Sequence, residues 1–226
     1  MKFALYVIGF ILVALIVPFL IPVSGNGDGV DPERHLPWQI EVDERGGSKV
    51  FGLQPGISTL AEVKGVLGNE IEVAIIARPN ELGSVEAYYS QVALGFVLAK
   101  MVITVDVAPE MVNAMRERAL KAKHMESTTR RITLHPDDLA QLDGLPVKAI
   151  AVIPTVNLDE LTVVQRFGEP GERLQVSDTR VHLLYPRFGL DVMVDGEGKE
   201  LLQYVAPRDF ALLREPLQTS QNAEQG

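Results

Sequence analysis

The sequence predicts an α+β chain: an N-terminal transmembrane helix followed by two tandem helix-plus-antiparallel-sheet units. Three observations predict it. Phe3–Val23 runs 21 residues without a charge. Two short helical patterns, at 59–68 and 157–168, each close on a glycine. After each come short runs rich in Val, Ile, Leu, Tyr and Phe, punctuated by Gly, Pro and Asn, which is strand-and-turn chemistry. The division expected is 1–24 membrane anchor or signal segment, 25–49 flexible tether, 50–134 first α+β unit, 135–213 second α+β unit and 214–226 disordered tail.

At roughly 1.5 Å per residue, Phe3–Val23 reaches about 31 Å as a helix, the thickness of a hydrocarbon core. Lys2 precedes it, and Asp28, Asp31 and Glu33 follow it. The positive-inside rule then places the remainder across the membrane. The expected address is a bacterial inner membrane, single pass, with the C-terminal domain in the periplasm. The competing reading is a cleaved signal peptide, with Val-Ser-Gly at 23–25 as the processing site. Secretory apolar regions run only about 7–15 residues, which favours a retained anchor.

Composition narrows the partners. The chain carries 30 acidic and 21 basic residues, a formal net charge of −9, which argues against nucleic acid. It has no cysteine, so disulfides, thiol catalysis, Cys-ligated metals and lipoprotein acylation are excluded. The fold must therefore rest on its apolar core, and 46% hydrophobic content supplies one.

Residues 24–49 are dominated by Gly, Asp and Pro and are expected to stay solvated. Trp38, with Ile40 and Val42, is expected to dock as a packing anchor. Thr59-Leu60-Ala61-Glu62 forms a capping box. Leu60, Val63, Val66 and Leu67 then recur at helical spacing, and Gly68 stops the helix. Strands are expected at 71–77, 85–92 and 96–107. Pro109 opens a helix expected to run to Met125, with Met111, Met115, Ala119 and Ala122 as its core stripe. A strand at 129–134, a helix at 136–142 and a strand at 147–153 follow.

The second unit repeats the order. Asn157 is the expected cap, with Glu160 three residues on; Leu161, Val164 and Phe167 form the apolar face, and Gly168 the stop. Strands are expected at 172–176, 180–185, 190–194 and 201–205, with a hairpin turn at Asp195-Gly196. A shift of 100 aligns Gly68 with Gly168, and Val181-x-x-x-Tyr185 echoes Val85-x-x-x-Tyr89. A last helical turn is expected at 207–213.

Two phrases carry a resemblance. Pro55-Gly-Ile-Ser-Thr-x-x-Glu-Val-x-x-x-Leu-Gly68 and Asn157-Leu-x-Glu-x-x-Val-x-x-x-Phe-Gly-Glu-Pro170 resemble the signature of the SmpA/OmlA (BamE) family of envelope proteins. A tandem version resembles the beta-lactamase-inhibitor-protein-like architecture. The resemblance implies a helical pair on a short antiparallel sheet, and a non-catalytic binding or assembly role.

No constellation points to catalysis. The histidines are His35, His124, His135 and His182, with no pair at metal spacing. His135, before Pro136, is expected to cap a helix. His182 is expected to make a cross-strand surface contact; its clustering with a Ser or an acid in one pocket would revive a hydrolase reading. Asp137 and Asp138 complement a helix dipole. There is no GxSxG, P-loop or dinucleotide fingerprint. No catalytic residue, cofactor, metal or small-molecule substrate is indicated. The basic cluster Arg116, Arg118, Lys121, Lys123, Arg130 and Arg131 is the candidate partner-docking surface. Its plainer reading is a solvated helix face plus a strand edge. The function expected is a membrane-anchored periplasmic binding or assembly module, an accessory partner of an envelope protein or membrane complex. The alternative is a secreted periplasmic inhibitor or ligand-binding protein.

Overall fold

In the computed structural model, which describes residues 35–124 and 129–224, the chain enters through a small hairpin, β1 (Glu41–Val42) and β2 (Ser48–Lys49). Helix α1 (Leu60–Leu67) starts at the capping box: the Glu62 amide donates to Thr59 Oγ1 at 3.3 Å, and the Thr59 amide donates to Glu62 Oε2 at 2.7 Å. Then come β3 (Glu72–Ala77), β4 (Ser84–Leu94) and β5 (Val97–Val105). Helix α2 (Pro109–Glu117), β6 (Lys121–His124), β7 (Arg130–Thr133) and α3 (Pro136–Leu142) lead to β8 (Val147–Pro154). The remainder is α4 (Glu160–Phe167), β9 (Glu172–Gln175), β10 (Arg180–Tyr185), β11 (Leu190–Asp195), β12 (Leu201–Val205) and α5 (Ala211–Glu224).

Ten of these strands form one sheet in the order β6-β7-β3-β4-β5-β8-β12-β11-β10-β9, antiparallel throughout. Alternation puts Ile75, Val85, Ala87, Tyr89, Met101, Ile103, Ile150, Val192, Leu183 and Tyr204 on one face, in one core with Leu60 and Val63 of α1, Met115 of α2, Leu142 of α3 and Val163 of α4. Helices α1 to α4 thus cover a single face.

The expected fold class needs correction in two respects. The two units do not carry separate sheets: β8 pairs with β5 on one side and β12 on the other, joining the halves edge to edge. Nor does a described helix cross a membrane. None is long and apolar enough to do so. The longest, α5, has 14 residues and carries Arg214, Glu215 and Pro216; at roughly 1.5 Å per residue it spans about 21 Å, short of a bilayer core. The anchor expected at 3–23 lies outside the described residues. The single-pass inner-membrane placement with a periplasmic domain is corrected accordingly.

Several element boundaries also move. Residues 35–49, expected as part of a tether, are docked: Tyr204 donates its hydroxyl to the Pro37 carbonyl at 2.9 Å, and the Trp38 ring lies 5.9 Å from Phe96 and 6.5 Å from Phe167, with the Arg166 guanidinium 4.7 Å from its centre. Helix α2 ends at Glu117 rather than at 125. Arg118 turns the backbone, and the Leu120 amide donates to Thr133 so that 121–124 pair with β7. Helix α4 is capped by Asp159, whose carboxylate accepts from the Thr162 amide at 2.7 Å, not by Asn157. Residues 214–224, expected as a disordered tail, continue α5.

Candidate binding face

Directly paired residues in an antiparallel sheet face the same side, so the second face can be followed strand by strand. One row runs Glu72, Tyr88, Val102, Ala151, Gln203, Asp191, Leu184, Glu172. The next runs Lys121, Thr133, Ala74, Glu86, Thr104, Ala149, Val205. Lys123, Arg131 and Ile76 belong to the same face.

The two halves of this face differ. In the β12-β11-β10-β9 half it is covered. Leu184 is 0% exposed, and Val205, Ala206 and Phe210 are buried with it, all outside the main core. Arg214 of α5 donates to both carboxylate oxygens of Glu172, at 2.8 and 3.3 Å. Here also His182 Nδ1 lies 2.8 Å from Asp191 Oδ2, at 6% and 1% exposure. His182 is therefore not the surface contact expected of it. Its partner is an acid, but among the described residues no Ser or Thr hydroxyl bonds it. Alternation alone does not reveal this, because a period of two marks which face His182 is on and not what covers that face.

In the β7-β3-β4-β5 half the face is open. Ala74, Ile76, Tyr88 and Val102 floor a trough of about 430 Å³, with Glu72, Glu86, Thr129 and Arg131 around it. Arg131 reaches along β3 to Glu72 Oε2 at 2.6 Å. Burial pushes the Glu86 carboxyl up, and the hydroxyl of Ser84, donating to it at 2.8 Å, partly offsets that.

The six basic residues expected to form one docking surface are split by the fold. Lys121, Lys123 and Arg131 share the open face at its β6 edge. Arg130 alternates to the other side and joins Arg116 in a separate hollow. Arg116 donates to the carbonyls of Glu81, at 2.8 Å, and Leu82, at 2.5 Å. Arg118 is ion-paired with Asp138, which is 0% exposed. That pairing makes Arg118 a structural group, and it gives Asp138 a role beyond a helix dipole. Asp137 stays exposed, and His135 caps α3 by accepting from the Asp137 amide at 3.3 Å. The sequence missed the split because it placed Arg118 and Lys121 on one helix.

Among the described residues no group of three or more His, Asp or Glu is arranged to hold a metal ion. No family model matches this chain, and neither a curated protein nor a solved structure matches it.

Proposed function

We propose that this chain is a non-catalytic module that binds a protein partner through the open half of its sheet. The observation that carries this reading is the uncovered apolar trough beside a lysine-bearing edge. Ala74, Ile76, Tyr88 and Val102 offer apolar floor, and Lys121 and Lys123 make no ion pair among the described residues. Interfaces are anchored by a buried apolar and aromatic centre inside a polar rim, and charge at the rim sets encounter rate. The matching partner presents apolar side chains flanked by acids. The two helix motifs, with their resemblance to assembly proteins, support the same reading.

The test is affinity capture followed by quantitative mass spectrometry, with variants on and off the face. Tyr88→Glu with Val102→Glu should abolish recovery of a stoichiometric partner. Lys121→Glu with Lys123→Glu should reduce it most at low salt. Leu161→Glu, at an exposed apolar position on α4, should leave recovery unchanged. Equal recovery by all four proteins would overturn the assignment.

A further inference from the structure

On the side of the sheet edge away from the trough lies a hollow of about 670 Å³, lined by residues of the β3–β4 loop, α2 and β7. Three arginines from these three elements border it: Arg78, Arg116 and Arg130. In a chain of net charge −9, this is a local reversal. Each guanidinium has a different freedom. Arg116 Nη1 is held by the Glu81 and Leu82 carbonyls, which fix the plane of the fork without neutralising its charge. Arg78 has only a loose pair with Glu81, at 3.9 Å between two exposed groups. Arg130 makes no ion pair among the described residues. Asn80 and Asn113 add amide groups, and Asn80 sits at φ 66°, a left-handed backbone that shapes the loop. Two acids, Glu81 and Glu117, also line the hollow.

We propose that this hollow binds a small phosphate monoester whose organic part carries hydroxyl groups. A phosphate presents three acceptor oxygens and close to two negative charges, which can engage more than one arginine fork, whereas a single carboxylate satisfies one. Glu81 and Glu117 are then acceptors for the hydroxyls rather than competitors for the arginines. A volume of about 670 Å³ lies within the usual range for small-molecule sites. The site lies away from the open trough, and it makes no use of the protein–protein reading.

Calorimetric titration of the full chain tests it, with inorganic phosphate, a hexose monophosphate and the free hexose as probes. The hexose monophosphate should bind saturably and more tightly than inorganic phosphate, and the free hexose should not bind. Arg130→Gln should weaken the ester about tenfold or more, as expected for loss of a charge-assisted contact. Arg116→Gln should do so too. Because that change also releases the β3–β4 loop, Arg130→Gln is the deciding variant. Lys121→Gln with Lys123→Gln, on the opposite face, should leave binding unchanged. Absence of saturable binding up to about 10 mM, beyond the millimolar range of weak specific sites, would overturn the proposal. So would phosphate binding as tightly as the ester, or the lysine pair weakening binding as much as Arg130→Gln.

Discussion

Gly68 and Gly168 take φ 93° with ψ 171° and φ 84° with ψ −174°, a region open to glycine and strained for any residue with a Cβ. In each case a tyrosine a few strands' reach away donates its hydroxyl to the glycine carbonyl: Tyr89 to Gly68 at 2.7 Å and Tyr185 to Gly168 at 3.0 Å. The carbonyl just past the helix, which has no partner within it, is thereby satisfied. A Cβ built on either glycine meets nothing within 4 Å, so Gly68→Ala and Gly168→Ala isolate the backbone strain. Each should cost about 1–2 kcal/mol in urea unfolding. Burial pushes both tyrosine hydroxyls up to about 12. The unfolded chain releases these protons near pH 10, roughly the unperturbed value, while the folded chain keeps them. Stability is therefore complete below pH 10 and should fall as pH rises from about 10 to 12, and Tyr89→Phe with Tyr185→Phe should flatten that fall. The echo of Val85-x-x-x-Tyr89 in Val181-x-x-x-Tyr185 was visible in the sequence. Its purpose was not, because a strand residue and a helix stop meet only in three dimensions.

At the scale of elements, local capping chemistry and long-range pairing decided different boundaries. Thr59 and Asp159 each accept from a first-turn amide, and the two helices lie in distant parts of the chain. Thr59→Ala and Asp159→Ala should each cost about 1 kcal/mol. Measured together by chemical denaturation, the losses should add within about 0.5 kcal/mol, because the caps share no partner. Residues 118–124 show the opposite case. Arg, Ala, Leu and Lys are good helix formers, and the stretch is locally helical by propensity. Lys121–His124 nevertheless form a strand, because their backbone groups find partners on β7 that a free helix end would leave to water. This change relocates Lys121 and Lys123 from a helix surface to the open sheet face, which is how the basic cluster came apart.

For the molecule as a whole, continuity of the sheet is the main consequence. β8 belongs to the second unit by sequence division at 134/135, yet it pairs along seven positions with β5 of the first. Tyr204 of β12 also bonds the Pro37 carbonyl, tying the last strand to the entering segment. Residues 35–224 should therefore unfold as one cooperative unit. Trp38 fluorescence, which reports on the α4 corner, and far-UV circular dichroism, which reports on the entire sheet, should give coincident denaturant transitions. Two separated transitions would show that the halves are independent after all. The open trough depends on the same architecture: Ala206 and Phe210 are buried and Arg214 of α5 pairs with Glu172 of β9, while the β3 half of the second face stays open.

The sequence by itself determined the α+β class of the folded portion, the helix starts and stops at Thr59, Gly68 and Gly168, the His135 cap, and most strands to within two residues. These features follow from short-range physics: hydrogen bonds between neighbours, glycine's conformational range and the period of two in a half-buried strand. Only the tertiary structure decided that the strands form one sheet, that 121–124 pair as its edge, that His182 meets Asp191 in a buried row, and that Arg118 is committed to Asp138. Each of these depends on groups that are not chain neighbours choosing one another. Period and propensity carry no record of that choice, because the energy selecting it comes from burial and pairing across the assembled sheet.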